Sequence, residues 1–191
     1  LTFLAARRWL GWSAGRLLVL DIGGGSLEMA VGNDESASST LSLPIGAGRM
    51  TREFLTGDPY TGKSIKALTQ FSREQISQSV SGELLLHQAD RIVATSKTFR
   101  TLARLTDHWY SDSAKTLEHS ALVAAIEKLK DLSNSQRAAL PGVSASRAKQ
   151  LLAGAIVAEA VMSHLKIDEV EICPWALREG IVLKWLDWME K

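Results

Sequence analysis

A run of glycines near the start of the chain has the composition of a phosphate-binding turn. Residues 21–28 read DIGGGSLE. Consecutive glycines let backbone N–H groups approach an anion closely, so Gly23, Gly24 and Gly25 are candidate phosphate-binding residues. Ser26 adds a hydroxyl donor at the end of the same turn. The segment therefore predicts a site for an anionic substrate.

Two acidic residues flank this turn. Asp21 follows a short apolar run, and Glu28 stands two residues after Ser26. Side chains alternate along a strand, so Glu28 and Ser26 are predicted on one face. Two carboxylates beside bound phosphate suit a divalent cation that bridges phosphate oxygens, or a water aligned for attack. Asp21 and Glu28 are therefore the candidate catalytic residues.

A plainer interpretation of residues 21–28 is a glycine-rich hairpin turn with an incidental acid on each side. Three consecutive glycines exceed what a tight turn needs, which favours the phosphate site. The segment is not a Walker A loop, because no Gly-Lys-Ser/Thr follows and the turn joins two strands.

Two further segments place polar residues where a strand leads into a helix, a geometry at which anions bind. Arg49 ends the segment 46–49 and could bind a phosphate with both arms of its guanidinium; a solvated Arg after a flexible connection is equally compatible. In segment 94–98, Ser96, Lys97 and Thr98 are candidate phosphate contacts, although Ser96 or Thr98 could serve only as a helix N-cap.

The remaining polar candidates have simpler explanations. Arg178 and Glu179 open the last predicted helix, and a capped helix with a surface ion pair is the favoured interpretation. The four histidines lack metal-ligand spacing. We assign them to the surface or the core.

The helices and strands that position these residues are predicted from the periodicity of the apolar residues. Strands are predicted at 17–20, 27–31 and 40–45, forming an antiparallel meander, with later strands at 91–94 and 169–172. Helices are predicted at 1–10, 46–55, 65–86 with an interruption at Gly82, 97–105, 117–132, 144–165 and 177–190. Residues 106–116 are predicted to be polar and irregular. We expect one α/β domain, a mixed sheet with flanking helices.

The overall composition argues against several classes of protein. Apolar residues make up 46% of the 191 residues, enough for a core, and the formal net charge is +1. That balance argues against a nucleic-acid footprint. No apolar run reaches the roughly 18 residues of a membrane span. Cys173 is the only cysteine, which suits the reducing cytoplasm. The chain lacks an initiator Met, and we expect it to begin within a longer protein.

Together these segments resemble one family. Residues 20–28 closely resemble the central signature of the exopolyphosphatase/guanosine pentaphosphate phosphatase (Ppx/GppA) family, in an actinobacterial type. Further matching segments follow in order: 43–49, 94–98, 147–148, 153–155 and 176–180. The first and last are specific, and the others support them.

The resemblance implies an actin-like, ribonuclease H-like fold and Mg²⁺-dependent removal of a terminal phosphate from polyphosphate or guanosine pentaphosphate. It implies that Asp21 and Glu28 hold metal and attacking water, with Asp21 as metal ligand. It also implies that the chain is the second lobe of a two-lobe enzyme. The first lobe, which carries a catalytic Glu, is absent from this sequence. That lobe and a second copy in a homodimer are candidate partners.

Two departures from the family pattern bear on substrate preference. Lys97 stands where many members have Gly, and residues 173–175 replace the commoner small and acidic residues. Two alternatives share the phosphate turn: an actin-fold kinase lobe, and a non-catalytic module that binds polyphosphate or an alarmone nucleotide. The pair Asp21 and Glu28 favours hydrolysis, because a pure binder does not need two acids beside an anion.

Overall fold

The computed structural model describes residues 1–110 and 113–189. Across these residues the chain forms six strands and ten α-helices. The strands are β1 (Leu17–Ile22), β2 (Leu27–Gly32), β3 (Ser39–Leu43), β4 (Arg91–Thr95), β5 (Thr116–Glu118) and β6 (Glu169–Ile172). The helices are α1 (Thr2–Leu10), α2 (Ala47–Phe54), α3 (Gly62–Ser79), α4 (Gly82–Leu85), α5 (Ser96–Tyr110), α6 (His119–Lys130), α7 (Asn134–Ala138), α8 (Ala145–Ala148), α9 (Leu151–His164) and α10 (Leu177–Met189).

The strands form a single mixed sheet in the order β3-β2-β1-β4-β6-β5. The antiparallel meander of β1, β2 and β3 predicted from the alternating pattern is confirmed. Strands β4 and β6 extend the sheet in parallel with β1, and β5 closes the edge antiparallel to β6. The strand that ends at the acidic turn is thus paired on both sides.

Burial on both faces of the sheet explains the continuous apolar run of β1. Leu18 and Leu20 pack in the larger core, whereas Leu17 and Val19 pack in a smaller core that includes residues of α1. A strand covered on both faces has no polar side to alternate with. The helix α9 is buried from Leu151 to Met162. It is a central helix that is apolar around its circumference except at Glu159, which pairs with Arg73.

The region 106–116 differs from its prediction. Helix α5 continues to Tyr110, and its polar Thr106 is fully buried with its hydroxyl donating to the carbonyl oxygens of Leu102 and Ala103, at 3.2 and 3.0 Å. The polar side chain is satisfied by its own helix and does not end it. Ser111 and Asp112 lie outside the described residues.

The second half of the chain contains elements that the sequence prediction missed. Strand β5 takes the residues expected to open a helix at 117, so α6 begins only at His119. Helix α7 was also missed, although Ser133 and Gln136 form a capping box, a pattern that is readable from the sequence.

The predicted helix 144–165 is divided. The carbonyl oxygen of Lys149 accepts a hydrogen bond of 2.7 Å from the Tyr60 hydroxyl, and helix α9 begins only at Leu151. This tertiary contact replaces a helical bond, which a local pattern does not reveal. The predicted interruption of helix 65–86 is confirmed, but it lies at Val80 and Ser81, and Gly82 begins α4 with a left-handed φ of 56°.

Among the helices that the structure describes, we find none with the length and apolar character needed to cross a membrane.

Candidate active site

The two acids predicted around the glycine turn are cross-strand neighbours. In the β1–β2 register, Asp21 lies directly opposite Glu28, and in the β1–β4 register it lies opposite Thr95. Residues that are paired in register project to the same face of a sheet. Asp21 is half-buried and Glu28 is exposed. One face of the sheet end therefore presents two carboxylates and a hydroxyl.

The environment of Asp21 makes its charged form costly. Burial raises the pKa of Asp21, the Thr95 hydroxyl lowers it, Glu28 raises it, and Arg100 lowers it. The Thr95 hydroxyl is buried and makes no hydrogen bond of good geometry within the described residues. The net result is that folding disfavours the charged form of Asp21.

We expect Asp21→Asn to raise the free energy of unfolding at pH 7 when no divalent cation is present. The raised pKa means that folding disfavours the Asp21 carboxylate, and Asn removes that cost. The advantage of the variant should be full above the raised pKa. It should vanish below the ordinary value of 3.8, since the carboxyl is then protonated in both states. Urea unfolding in EDTA across acidic and neutral pH measures the difference, with the exposed Asp131→Asn as control. A variant less stable than wild type at pH 7 would contradict this electrostatic account.

The glycine turn is held from behind by the start of α2. The N–H of Ala47 donates to the carbonyl oxygen of Gly23 at 3.0 Å, and the N–H of Arg49 donates to that of Gly24 at 2.8 Å. The N–H of Gly23 itself closes the turn by donating to the Ser26 carbonyl oxygen at 2.9 Å. Two of the first N–H groups of α2 are thus used inside the protein.

This anchoring directs other N–H groups outward. In a trans peptide the N–H points opposite to the preceding carbonyl, so the N–H groups of Gly24 and Gly25 point away from α2. Within the described residues, neither they nor the N–H of Ser26 have a protein acceptor. Gly24 and Gly25 are exposed. Successive outward N–H groups of this kind form an anion-binding nest.

The glycines in the turn and the glycine that precedes α2 have different amounts of space around them. A Cβ added to Gly24 or Gly25 would meet nothing within 4 Å, so packing does not require Gly there. A Cβ on Gly46, by contrast, would lie 2.3 Å from the backbone nitrogen of Ser26 and 2.4 Å from the carbonyl carbon of Gly25. Gly46 lets α2 approach the turn, whereas Gly24 and Gly25 leave open space in front of it.

We expect Gly24→Ala to impair substrate binding and Gly46→Ala to lower stability. Gly24→Ala should leave the melting temperature unchanged but raise the KM for a phosphate substrate about tenfold, by hindering hydrogen bonds to a charged group. Gly46→Ala should lower the free energy of unfolding by about 1–3 kcal/mol through overpacking. Thermal melts and steady-state kinetics separate the two. Equal melting temperatures for both variants would refute the distinction.

Ser26 and Glu28 are joined directly, since the Ser26 hydroxyl donates to Oε1 of Glu28. The sequence predicted that these two side chains share a face, and this contact confirms it. Glu28 is exposed, so its other carboxylate oxygen is accessible to water. The arrangement can orient a water molecule beside an anion bound at the turn.

The other predicted phosphate contacts lie around this centre in different settings. The Thr98 hydroxyl is buried and donates to the carbonyl oxygen of Ile22 at 2.9 Å, which ties α5 to the end of β1. Ser96 caps α5 by accepting a 3.4 Å hydrogen bond from the N–H of Phe99. These two hydroxyls therefore support the site through local structure, and their contact with phosphate stays a prediction.

The side chains of the two predicted cationic contacts, Arg49 and Lys97, have different surroundings. The Arg49 guanidinium lies 3.7 Å from Glu53 on the largely exposed surface of α2. Lys97 lines a separate cavity together with Arg100. Phosphate contacts of both residues stay predictions.

Glu179 has a structural role at the start of α10. Glu179 caps α10 by accepting a 2.8 Å hydrogen bond from the N–H of Ala176, the role that the sequence favoured, and this bond lowers the pKa of Glu179.

Arg100 was not singled out in the sequence, although it follows Ser96 by one helical turn, a spacing that places both on one side of α5.

Comparisons with known proteins identify the family of this chain. The model of the Ppx/GppA phosphatase family matches residues 1–189. The chain belongs to that family. Exopolyphosphatase 1 of Mycobacterium tuberculosis is 50% identical over 191 residues, and that of Mycobacterium leprae is 48% identical. Each alignment covers 98% of this chain and 56% of the relative, so the chain spans about half the length of these relatives.

Solved structures confirm the actin-like α/β fold expected from the resemblance. A crystal structure of the Aquifex aeolicus Ppx/GppA phosphatase superposes with a TM-score of 0.81 at 27% identity, over 96% of this chain and 61% of that one. An exopolyphosphatase from Cytophaga hutchinsonii gives a TM-score of 0.79 at 21% identity, over 97% of this chain and 62% of that one.

Proposed function

We propose that this chain is the phosphate-binding lobe of a two-lobe hydrolase that removes terminal phosphate from inorganic polyphosphate, guanosine pentaphosphate or both. The observation that carries the proposal is the glycine turn, whose N–H groups at Gly24 and Gly25 face outward without a protein acceptor. Membership of a phosphatase family supports the reaction class. The names of the mycobacterial relatives support polyphosphate as a substrate.

In this mechanism the turn binds the terminal phosphate through its outward N–H groups. Phosphoryl transfer depends mainly on positioning and charge neutralisation, and N–H groups fixed by α2 need no rearrangement when charge develops. Glu28 orients a water molecule together with the catalytic Glu expected in the first lobe, and that Glu accepts the proton of the water as the oxygen–phosphorus bond forms. The bridging bond to the remaining chain breaks, and its oxygen carries the negative charge away.

The acids at the turn are suited to binding a Mg²⁺ ion that the protein and the substrate would share. The described residues contain no cluster of three or more His, Cys, Asp or Glu side chains that could hold a metal by themselves. Mg²⁺ characteristically binds one or two carboxylates together with substrate phosphates and waters, and Asp21 with Glu28 supplies that number. Bound Mg²⁺ would neutralise charge on the phosphate oxygens.

The raised pKa of Asp21 also bears on the non-catalytic alternative. A half-buried carboxylate opposite a second acid costs stability, and it repels an anion at the neighbouring turn. A module that only bound polyphosphate would gain from replacing it. Such a cost is typical of a catalytic site.

The reaction type is tested by running the full-length protein in ¹⁸O-labelled water. Hydrolysis places one labelled oxygen in each phosphate released from polyphosphate or guanosine pentaphosphate. ATP-dependent phosphorylation of a small acceptor, with no labelled phosphate released, would point instead to the actin-fold kinase alternative. Tight binding of both substrates with no turnover would leave only a binding module.

A further inference from the structure

The carbonyl oxygen of Lys149, at the junction of α8 and α9, depends on the side chain of Tyr60. The Tyr60 hydroxyl donates to this oxygen at 2.7 Å. The Thr51 hydroxyl lies 3.5 Å from the same oxygen, but it donates to the carbonyl oxygen of Ala47 at 2.8 Å. A hydroxyl has a single proton to donate. Among the described residues, Tyr60 is therefore the donor that satisfies the Lys149 carbonyl group.

Tyr60 is itself held in place by a buried arginine. Tyr60 is 8% exposed, and the guanidinium carbon of the fully buried Arg137 lies 4.3 Å from the centre of the Tyr60 ring. Arg137 also donates to Asn134 Oδ1 at 2.9 Å and to the carbonyl oxygen of Leu129 at 3.3 Å. A cation is attracted most strongly to a ring face where water is excluded. Burial raises the pKa of Tyr60, so the hydroxyl keeps its proton and remains a donor at neutral pH.

The junction of α8 and α9 leads directly into the part of α9 that packs against α2. A Cβ added to Gly48 would lie 2.9 Å from Gln150 Oε1, and one added to Gly154 would lie 3.3 Å from the Cβ of Ala47. Ala47 and Arg49 are the residues whose N–H groups bind the carbonyl oxygens of the glycine turn. The start of α9 therefore contacts the same part of α2 that holds the glycine turn.

We propose that Tyr60 is a positioning residue for the glycine turn, which it affects through α9 and α2. Its hydroxyl fixes the junction of α8 and α9, the start of α9 supports α2, and α2 holds the carbonyl oxygens of Gly23 and Gly24. The inference rests on the proposed function and adds a residue to its mechanism. Outward N–H groups stabilise developing charge only while the turn is fixed, and misplacement of positioning groups costs up to about 10² in rate. Loss of the Tyr60 hydroxyl should therefore lower kcat and leave KM nearly unchanged.

The experiment uses the Tyr60→Phe variant of the full-length protein, assayed for phosphate release with Mg²⁺ present. Phe keeps the ring against which Arg137 packs and removes only the hydroxyl, so the fold should be kept. The matched control is Tyr110→Phe, which removes the hydroxyl of the other tyrosine, exposed at the end of α5. Ile76→Val, a buried position of α3, is the control for a loss of stability alone.

We expect Tyr60→Phe to lower kcat about tenfold, with a KM within about threefold of wild type. Both controls should keep the wild-type kcat at temperatures well below their melting temperatures. A wild-type kcat in Tyr60→Phe would overturn the inference. So would an equal loss of kcat in Ile76→Val, because that result marks a general effect of lower stability.

Amide hydrogen exchange of the full-length protein, followed by mass spectrometry, tests the same inference without turnover. Residues 46–50 should exchange about tenfold faster in Tyr60→Phe, the effect of leaving one buried carbonyl group unsatisfied, whereas both controls should match wild type there. If the wild-type protein releases no phosphate from polyphosphate or guanosine pentaphosphate, the proposed function fails, and faster exchange at residues 46–50 would still support the role of Tyr60 in holding α2. Unchanged exchange at these residues in Tyr60→Phe would overturn the inference.

Discussion

Asp21→Asn and Glu28→Gln should each lower the turnover of the full-length protein by about 10²–10⁴-fold, the effect of losing a positioned acid–base group. This corresponds to about 3–5 kcal/mol of activation free energy. The two residues face each other at the end of the β1–β2 hairpin, and Ser26 donates to Glu28. Neither substitution changes side-chain volume much, so the fold should survive.

The measurement is phosphate release from polyphosphate with Mg²⁺ present, together with thermal melts of each variant. Glu74→Gln and Asp131→Asn, both exposed and away from the glycine turn, are the matched controls and should behave as wild type. Turnover near the wild-type rate in both Asp21→Asn and Glu28→Gln would remove these acids from the mechanism.

The second large effect concerns the isolated chain of 191 residues, which we expect to fold but not to catalyse. Folding is expected because the described residues form two packed cores around one sheet. Inactivity follows from the proposal that this chain is one of two lobes. Loss of the catalytic Glu expected in the first lobe should cost about 10²–10⁴ in rate, and loss of the opposing wall of the cleft removes its positioning contribution.

The test is to purify these residues alone, confirm a cooperative thermal transition, and compare phosphate release with the full-length protein. The glycine turn is local, so weak binding of phosphate should persist. Turnover within about tenfold of the full-length protein, or a barrier difference of about 1.4 kcal/mol or less, would mean that this chain carries the whole reaction.

The local part of the site was predictable from the sequence. Asp21, the glycines and Glu28 lie within eight residues, and strand alternation is enough to place Glu28 beside Ser26. The use of the α2 N–H groups was not predictable in this way. Ala47 and Arg49 follow the turn by more than twenty residues, and only the folded chain shows that they bind the carbonyl oxygens of Gly23 and Gly24.

The cavity lined by Lys97, Arg100, Arg104 and Arg147 shows the same limit. Lys97 and Arg104 lie on α5, whereas Arg147 lies on α8, and no periodic pattern connects residues so far apart. The errors in the fold prediction have a similar origin. The division before α9 depends on the Tyr60 hydroxyl, and α5 extends through Thr106 because its hydroxyl is satisfied within the helix. The bounds of these helices are therefore set by contacts in the folded chain and differ from what local propensity predicts.

The most direct test of the central claim is phosphate release by the full-length protein from long polyphosphate and guanosine pentaphosphate, measured side by side with Mg²⁺ and again in EDTA. The account predicts Mg²⁺-dependent release of terminal phosphate from at least one of the two substrates, and loss of about 10²–10⁴ in rate in Asp21→Asn. Release that is equally fast in EDTA and in Asp21→Asn, or no release from either substrate, would contradict it.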